Sequence, residues 1–295
     1  MSGSTLVVGP GWLGAPAAAV LAQGETATVF TLSRSGREAP QGCTAVAGDI
    51  TRGSDDHALL QALPATVAQI VVCVAPSSAR GDRYDLYPAA ARGAVQLAEA
   101  LHTRALVYVS STGIYDRQDG SEVDERTLIM PTNDRVQALM DAELAVLSAA
   151  TPTRAVTVLR AAGLYGPGRD PQRRFAAALT PPDTWCNFSW RDDVIAAMAH
   201  VLAQPATGRG ALYNCTDNSP VQAGAITHAL TGAWPLPDTS SPGEAAQGSA
   251  VRSGRSNQRV CSAALLRTGF MPQVRDIFEG LRRLGHALPG LETRS

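Results

Sequence analysis

Short apolar runs alternate with amphipathic and Ala-rich segments along most of this chain. The runs at Thr5–Val8, Thr26–Leu32, the stretch ending at Val46–Ile50, Gln69–Val74, Leu106–Val109 and Arg154–Leu159 read as strands. The unbroken β-branched run at Gln69–Val74 predicts burial on both faces. Between the strands, an Ala-rich segment from Gly14 to Gly24 and an amphipathic one from Tyr84 to Leu101 read as helices. Strand and helix in alternation predict an α/β fold built on a doubly wound parallel sheet. A last amphipathic helix is expected over Val274–Leu288.

The first strand runs without a gap into Gly9-Pro10-Gly11-Trp12-Leu13-Gly14 and then into the Ala-rich helix. That order is a buried strand, a tight phosphate-binding turn and a helix start, as in a Rossmann core. Gly9 lets the chain turn sharply, Gly11 lets backbone approach a pyrophosphate, and Gly14 lets the helix lie close to the strand. Trp12 and Leu13 complete the loop, and the helix N-terminus offers N–H groups to phosphates. The alternative is a Gly-rich turn that binds nothing.

The second strand ends in Ser33-Arg34-Ser35-Gly36-Arg37. An acid at this place would bind a ribose 2′-hydroxyl and repel a 2′-phosphate, whereas a guanidinium clamps the phosphate. Ser33, Arg34 and Arg37 therefore point to NADP(H); the alternative is a pair of solvated loop charges. Asp49 and Ile50 are expected beside the adenine, with Asp49 as a helix cap the competing reading. Ala75 and Pro76 open a loop next to the dinucleotide. The fifth strand ends in Ser110-Ser111-Thr112-Gly113-Ile114-Tyr115, and ligands of such sheets bind outside the carboxyl ends of the strands. The hydroxyls of Ser110, Ser111 and Thr112 are therefore expected in the crevice. Tyr87, in the preceding helix, reads as core rather than catalytic.

Composition narrows the choice of partner. The 295 residues carry a net charge of −1, which points to neither nucleic acid nor an anionic membrane. No apolar run is long enough to span a bilayer, and the start of the chain reads as strand rather than as a signal peptide. Five scattered cysteines lack metal spacing and suit a reducing cytoplasm. The expectation is a cytoplasmic monomer or homodimer that binds a small-molecule substrate and no metal. All 25 basic residues are Arg; the chain has no Lys.

Taken together, several segments resemble the extended short-chain dehydrogenase/reductase superfamily, the epimerase/dehydratase-like group. They are the glycine loop, Gly48-Asp49-Ile50, Ser110–Tyr115, Arg160-Ala161-Ala162-Gly163-Leu164-Tyr165-Gly166-Pro167-Gly168, Arg191-Asp192-Asp193-Val194 and Leu212-Tyr213-Asn214-Cys215-Thr216-Asp217. They run in family order over nearly the whole chain. The resemblance implies a nucleotide-binding core over 1–160 and a smaller C-terminal substrate lobe over 161–295, with about 191–217 returning to the core. It also implies that Ser111 matches the serine that hydrogen-bonds the reacting oxygen.

One element departs from that pattern. The family carries Tyr-x-x-x-Lys on the next helix, but within the frame Pro131–Glu143 Arg135 stands at the tyrosine position and Leu139 at the lysine position. An unassisted phenol, with a reference pKa of about 10, is a poor base at neutral pH. Arg135 cannot act as a base either, though it can stabilise an oxyanion or bind a substrate anion. Tyr115 is the candidate donor. The other reading has Arg135 paired with Asp134 or Asp141 on a solvated face and Tyr115 packing a corner.

In the lobe, Trp185, Asn187 and Trp190 suggest an apolar wall with a polar handle which, with Thr112, faces the substrate; lobe core is the alternative. Asp192 or Asp193 reads as a helix cap, and Trp234–Gly254 as a loop able to close over substrate. No clear set of uridine or phosphate anchors appears there. The expected activity is that of an atypical NADP(H)-dependent oxidoreductase on a small organic substrate. A non-redox isomerase, lyase or cyclase, or a nucleotide-sensing regulator, stands as the alternative.

Overall fold

The computed structural model describes residues 3–24, 28–75, 84–205, 208–234 and 256–291. Pro76, Thr26 and the 235–254 part of the expected closing loop lie outside the described residues. The strands are β1 (Thr5–Val8), β2 (Val29–Ser33), β3 (Cys43–Ala47), β4 (Gln69–Val72), β5 (Ala105–Ser111), β6 (Glu122–Val123), β7 (Ala155–Ala161), β8 (Gly163–Tyr165), β9 (Trp185–Cys186), β10 (Phe188–Trp190), β11 (Ala211–Cys215), β12 (Val221–Gln222) and β13 (Arg259–Val260). The helices are α1 (Gly14–Leu21), α2 (His57–Ala62), α3 (Leu86–Ala100), α4 (Asp134–Leu147), α5 (Gln172–Ala176), α6 (Arg191–Ala203), α7 (Ala223–Thr231), α8 (Ala263–Leu266) and α9 (Ile277–Arg283).

Seven strands form one sheet in the order β11-β7-β5-β4-β1-β2-β3, with β1 parallel to both β2 and β4. The chain order reverses between β1 and β4, the topological switch point at which such sheets bind nucleotides. β7 is buried at every residue and β4 at all but Gln69, which explains their unbroken apolar runs. Strand and helix ends differ from the sequence reading by a few residues. β3 ends at Ala47 because Asp49 starts a 3₁₀ turn, Ile50–Asp55. The last helix is short because Asp276 caps it and Leu284 closes it, so Val274–Leu288 is only half helical.

The described chain falls into two compact units. The first comprises Met1–Ile114, Met130–Arg160 and Val194–Tyr213; the second comprises Tyr115–Ile129, Ala161–Asp193 and Asn214–Ser295. Residues 115–129, inside the 1–160 span, thus group with the second unit. The core of the first unit joins Leu6, Val8, Ile70 and Val72 to the inner faces of α3 and α4 through Leu97, Ala142 and Val146. The second unit is built round an aromatic cluster in which Tyr165 meets Phe188 and Trp190 edge-on at 5.6 and 5.2 Å.

Candidate functional site

The glycine loop has the geometry of a phosphate cradle. Gly9 turns with φ +82, and a Cβ there would press on the Cys73 carbonyl at 3.0 Å. A Cβ on Gly14 would collide with the Gly9 carbonyl oxygen, so α1 lies against β1 only because this residue is glycine. A Cβ on Gly11 would meet nothing within 4 Å. The turn is open outward at Gly11, and no side chain caps α1. Trp12 is exposed less than Gly11, and Leu13 holds the N-cap position.

Beyond β2 the chain folds back in a tight turn. The Arg37 amide donates to the Ser33 hydroxyl at 2.8 Å, and the Gly36 and Gly48 amides donate to its carbonyl. Ser33 is thereby committed to shaping the turn, while Arg34 and Arg37 are exposed on it. Asp49 is a cap: its Oδ1 accepts from the Thr51 amide and hydroxyl. Ile50 is buried under the 3₁₀ turn. Ala75, exposed, is the last described residue after β4. The turn, the glycine loop and Asp49 all stand at the carboxyl ends of β1–β3.

At the end of β5 the three hydroxyls part ways. Ser110 does not open to a crevice. It is buried and donates to Glu143 of α4 at 2.5 Å, because strand alternation aims it at the helices. Glu143 also takes Arg160 in a two-pronged pair, Nε to Oε1 at 2.9 Å and Nη2 to Oε2 at 2.6 Å. Ser111, half-buried, accepts from the Gly113 amide at 3.1 Å as the chain enters a 3₁₀ turn, Thr112–Ile114. Thr112 is buried in that turn.

Arg135 does not pair outward on a solvated face. It lies in the first turn of α4, half-buried, with its guanidinium over Gly113: a Cβ there would sit 2.9 Å from Nη2 and 3.0 Å from Nη1. Asp141 instead accepts from Gln137 at 2.7 Å. The guanidinium also reaches Tyr87, in the first turn of α3, where its charge and a side-chain hydrogen bond favour the phenolate against the effect of burial. Beneath them Tyr108 is buried with an unpartnered hydroxyl, its phenol pushed up by burial and by Tyr87 and Glu143. Leu139, at the lysine position, is fully buried. Sequence reading placed Tyr87 in the core, and its ring does pack against the core of the first unit, while its hydroxyl meets the Arg135 guanidinium.

The expectations for Tyr115, Asn187 and Trp190 change in the second unit. Tyr115 is buried and donates to Asn214 Oδ1 at 2.8 Å, so its hydroxyl holds a corner. Asn187 spends both ends on one segment, donating to the Gln258 carbonyl and accepting from the Val260 amide, each at 2.8 Å. It is a brace for β13, not a free handle. Trp190 belongs to the aromatic core, whereas Trp185 is half-exposed with Arg259 stacked 5.5 Å from its ring. Asp192 and Asp193 sit in the first turn of α6, and the Asp193 carboxylate accepts from the Gln273 and Val274 amides. Sequence reading missed Asp217. It is buried with one unpartnered oxygen, and burial with Asp276 and Asp193 nearby pushes its carboxyl up to about 8.

Among the described residues no group of three or more His, Cys, Asp or Glu could hold a metal ion. Burial pushes the Cys73, Cys186 and Cys215 thiols up to about 12, which leaves them unreactive. No described helix is long and apolar enough to cross a membrane.

Known proteins agree with this layout. Protein YeeZ of Escherichia coli strain K12 is 32% identical over 216 residues, covering 70% of this chain and 75% of its own. The structure of an NAD-dependent epimerase/dehydratase candidate from Methylobacillus flagellatus superposes with a TM-score of 0.74 at 27% identity, covering 96% and 98% of the two chains. The dTDP-glucose 4,6-dehydratase of Bacillus anthracis, solved with NAD, shares the fold at TM-score 0.71 and 18% identity, covering 95% and 94%. The family model for NAD dependent epimerases and dehydratases matches residues 5–216, a span that holds the glycine loop, the Ser110–Ser111 strand end and the Arg135 helix; the chain belongs to that family.

Proposed function

We propose that this protein is an NADP(H)-dependent oxidoreductase of atypical short-chain type that acts on a small organic substrate. The observation that carries the reading is the turn at 33–37. It places two exposed arginines and no carboxylate within its five residues, with Glu38 directly after them, next to a glycine loop open at Gly11. The residues fit a dinucleotide: the space a Gly11 side chain would occupy is left for the pyrophosphate, and the arginines offer forks to a 2′-phosphate. When bound, the dinucleotide supplies or accepts a hydride. The chain's own part is to anchor the phosphates at α1, select the 2′-substituent with Arg34 and Arg37, and place a substrate oxygen at the Ser111 hydroxyl. Metal assistance has no ligand set among the described residues.

The test is a fluorescence titration of the purified protein with NADPH and with NADH. NADPH should bind more tightly, and Arg34→Ala should weaken NADPH while sparing NADH. A charge-assisted contact is worth roughly 1.5–3 kcal/mol, so the preference should fall by about tenfold or more. Equal affinities in the unmutated protein would sink the assignment to NADP(H). Binding without nicotinamide turnover on any carbonyl or alcohol would favour the non-redox class.

A further inference from the structure

We propose that Tyr87 and Arg135 form a catalytic pair, in which Tyr87 carries the proton exchanged with the substrate oxygen and Arg135 holds the phenolate. The proposal rests on the oxidoreductase reading above and names its acid–base group. Sequence spacing cannot reveal the pair, because its members sit on different helices 48 positions apart.

The placement follows from topology. α3 is the next helix after β4, and α4 is the next after β5 once the stretch holding β6 has passed; β4 and β5 run parallel, and Arg135 over Gly113 puts the first turn of α4 at the carboxyl end of β5. The two helices pack side by side, which brings their first turns together. Tyr87 is the second residue of α3 and Arg135 the second of α4. The guanidinium faces the Tyr87 phenol on one side and lies over Gly113 on the other. Gly113 donates its amide to the Ser111 hydroxyl, so phenol, guanidinium and serine occupy one neighbourhood. A Cβ at Gly113 would push the guanidinium aside.

The chemistry is a proton exchange at one oxygen. In the reducing direction the Tyr87 O–H bond breaks, its electron pair stays on the phenolate, and the proton forms an O–H bond on the former carbonyl oxygen. The reverse transfer accompanies alcohol oxidation, with the nicotinamide dinucleotide as the hydride partner in both. Arg135 does not deprotonate and offers a planar fork, so it serves as the permanent counter-charge. Burial and two groups bear on the phenol's titration. Burial raises it most, Arg135 lowers it by charge and hydrogen bond, and Tyr84 raises it slightly. Tyr108, on β5 beneath, feels Tyr87 in turn. The resting phenol therefore holds its proton at neutral pH, and Arg135 offsets part of the loss of acidity that burial imposes.

The experiment labels the six tyrosines with ¹³C at the ring carbon bearing oxygen, assigns Tyr87 by loss of its signal in Tyr87→Phe, and titrates the full-length protein by NMR. Arg135→Leu should move the Tyr87 midpoint upward, and Arg135→Lys should recover only part of the difference. In parallel, NADPH oxidation is followed with a panel of aliphatic and aromatic aldehydes and ketones. Tyr87→Phe should lower kcat by about 10²–10⁴ with NADPH affinity unchanged. The alkaline limb of the kcat profile should shift upward in Arg135→Leu. A Tyr87 midpoint indifferent to Arg135 overturns the pair, whatever the activity. A Tyr87→Phe variant with full turnover overturns the proton role while leaving the oxidoreductase reading intact. A wild-type protein that binds NADPH but oxidises it with no carbonyl overturns both.

Discussion

Gly11 and Gly14 show how one residue type does two jobs three positions apart. A side chain at Gly14 would strike the Gly9 carbonyl, whereas one at Gly11 would enter open space. Gly11→Val should therefore keep the fold, with near-native circular dichroism, and lose nucleotide binding because its methyl groups fill the pyrophosphate's place. Unchanged NADPH affinity in the folded variant would make the loop purely structural. Gly14→Val, by contrast, should unfold the β1–α1 junction. The glycine spacing, and the distinct demand at each glycine, were legible in the sequence because the loop is local. The fate of the serines was not: Ser110 and Ser111 are adjacent in sequence, yet strand alternation sends one to Glu143 and leaves the other at the strand end.

At the scale of elements, α4 is fastened to the sheet by charge. Glu143 takes Arg160 of β7 with two prongs and Ser110 of β5 with a third bond, and its side chain is 5% exposed. Glu143→Gln keeps the shape but leaves the Arg160 guanidinium without its counter-charge. Removing one partner of a buried pair costs about 3–5 kcal/mol. Leu144→Ala, one position on but exposed, should stay within about 0.5 kcal/mol of wild type. Urea denaturation of the two variants reads the difference; equal stabilities would mean that the pair contributes nothing. Because α4 also carries Arg135, loosening it should lower turnover as well. Glu143 stood in the sequence as part of a helix frame, but its partner Arg160 lies 17 positions away on a strand and was unrecognisable as such.

For the molecule as a whole, Asp217 sets a dependence on pH. Its Oδ1 accepts from the Ser219 amide, its Oδ2 is buried without a partner, and burial with Asp276 and Asp193 pushes the carboxyl up to about 8. The unfolded chain titrates it near 3.9. Between about pH 4 and about pH 8 the folded state holds a proton that the unfolded state releases, so this group's contribution to stability falls as pH rises, by at most ~1.4 kcal/mol per unit. Asp217→Asn stays neutral throughout. The variant's stability relative to wild type should climb from about pH 5 to about pH 8 in denaturant titrations. A difference flat across that range would show that Asp217 is ionised in the folded protein.

The sequence by itself laid out six of the seven sheet strands in alternation with helices, the glycine turn at Gly9–Gly14, the arginines beyond β2 and a chain with no Lys. The strands, the turn and the arginines are written in short contiguous stretches, where periodicity and glycine placement act on neighbours along the chain. Tertiary structure alone decided where the side chains spend their hydrogen bonds. Tyr115 goes to Asn214, 99 positions on, Asn187 braces the Gln258–Val260 segment, and Trp190 sinks into the aromatic core. Arg135 turns to Tyr87 rather than to a neighbouring aspartate, because α3 and α4 pack side by side and bring their first turns together. Such partners are fixed by packing between distant segments, and no local pattern encodes which of several polar residues will meet.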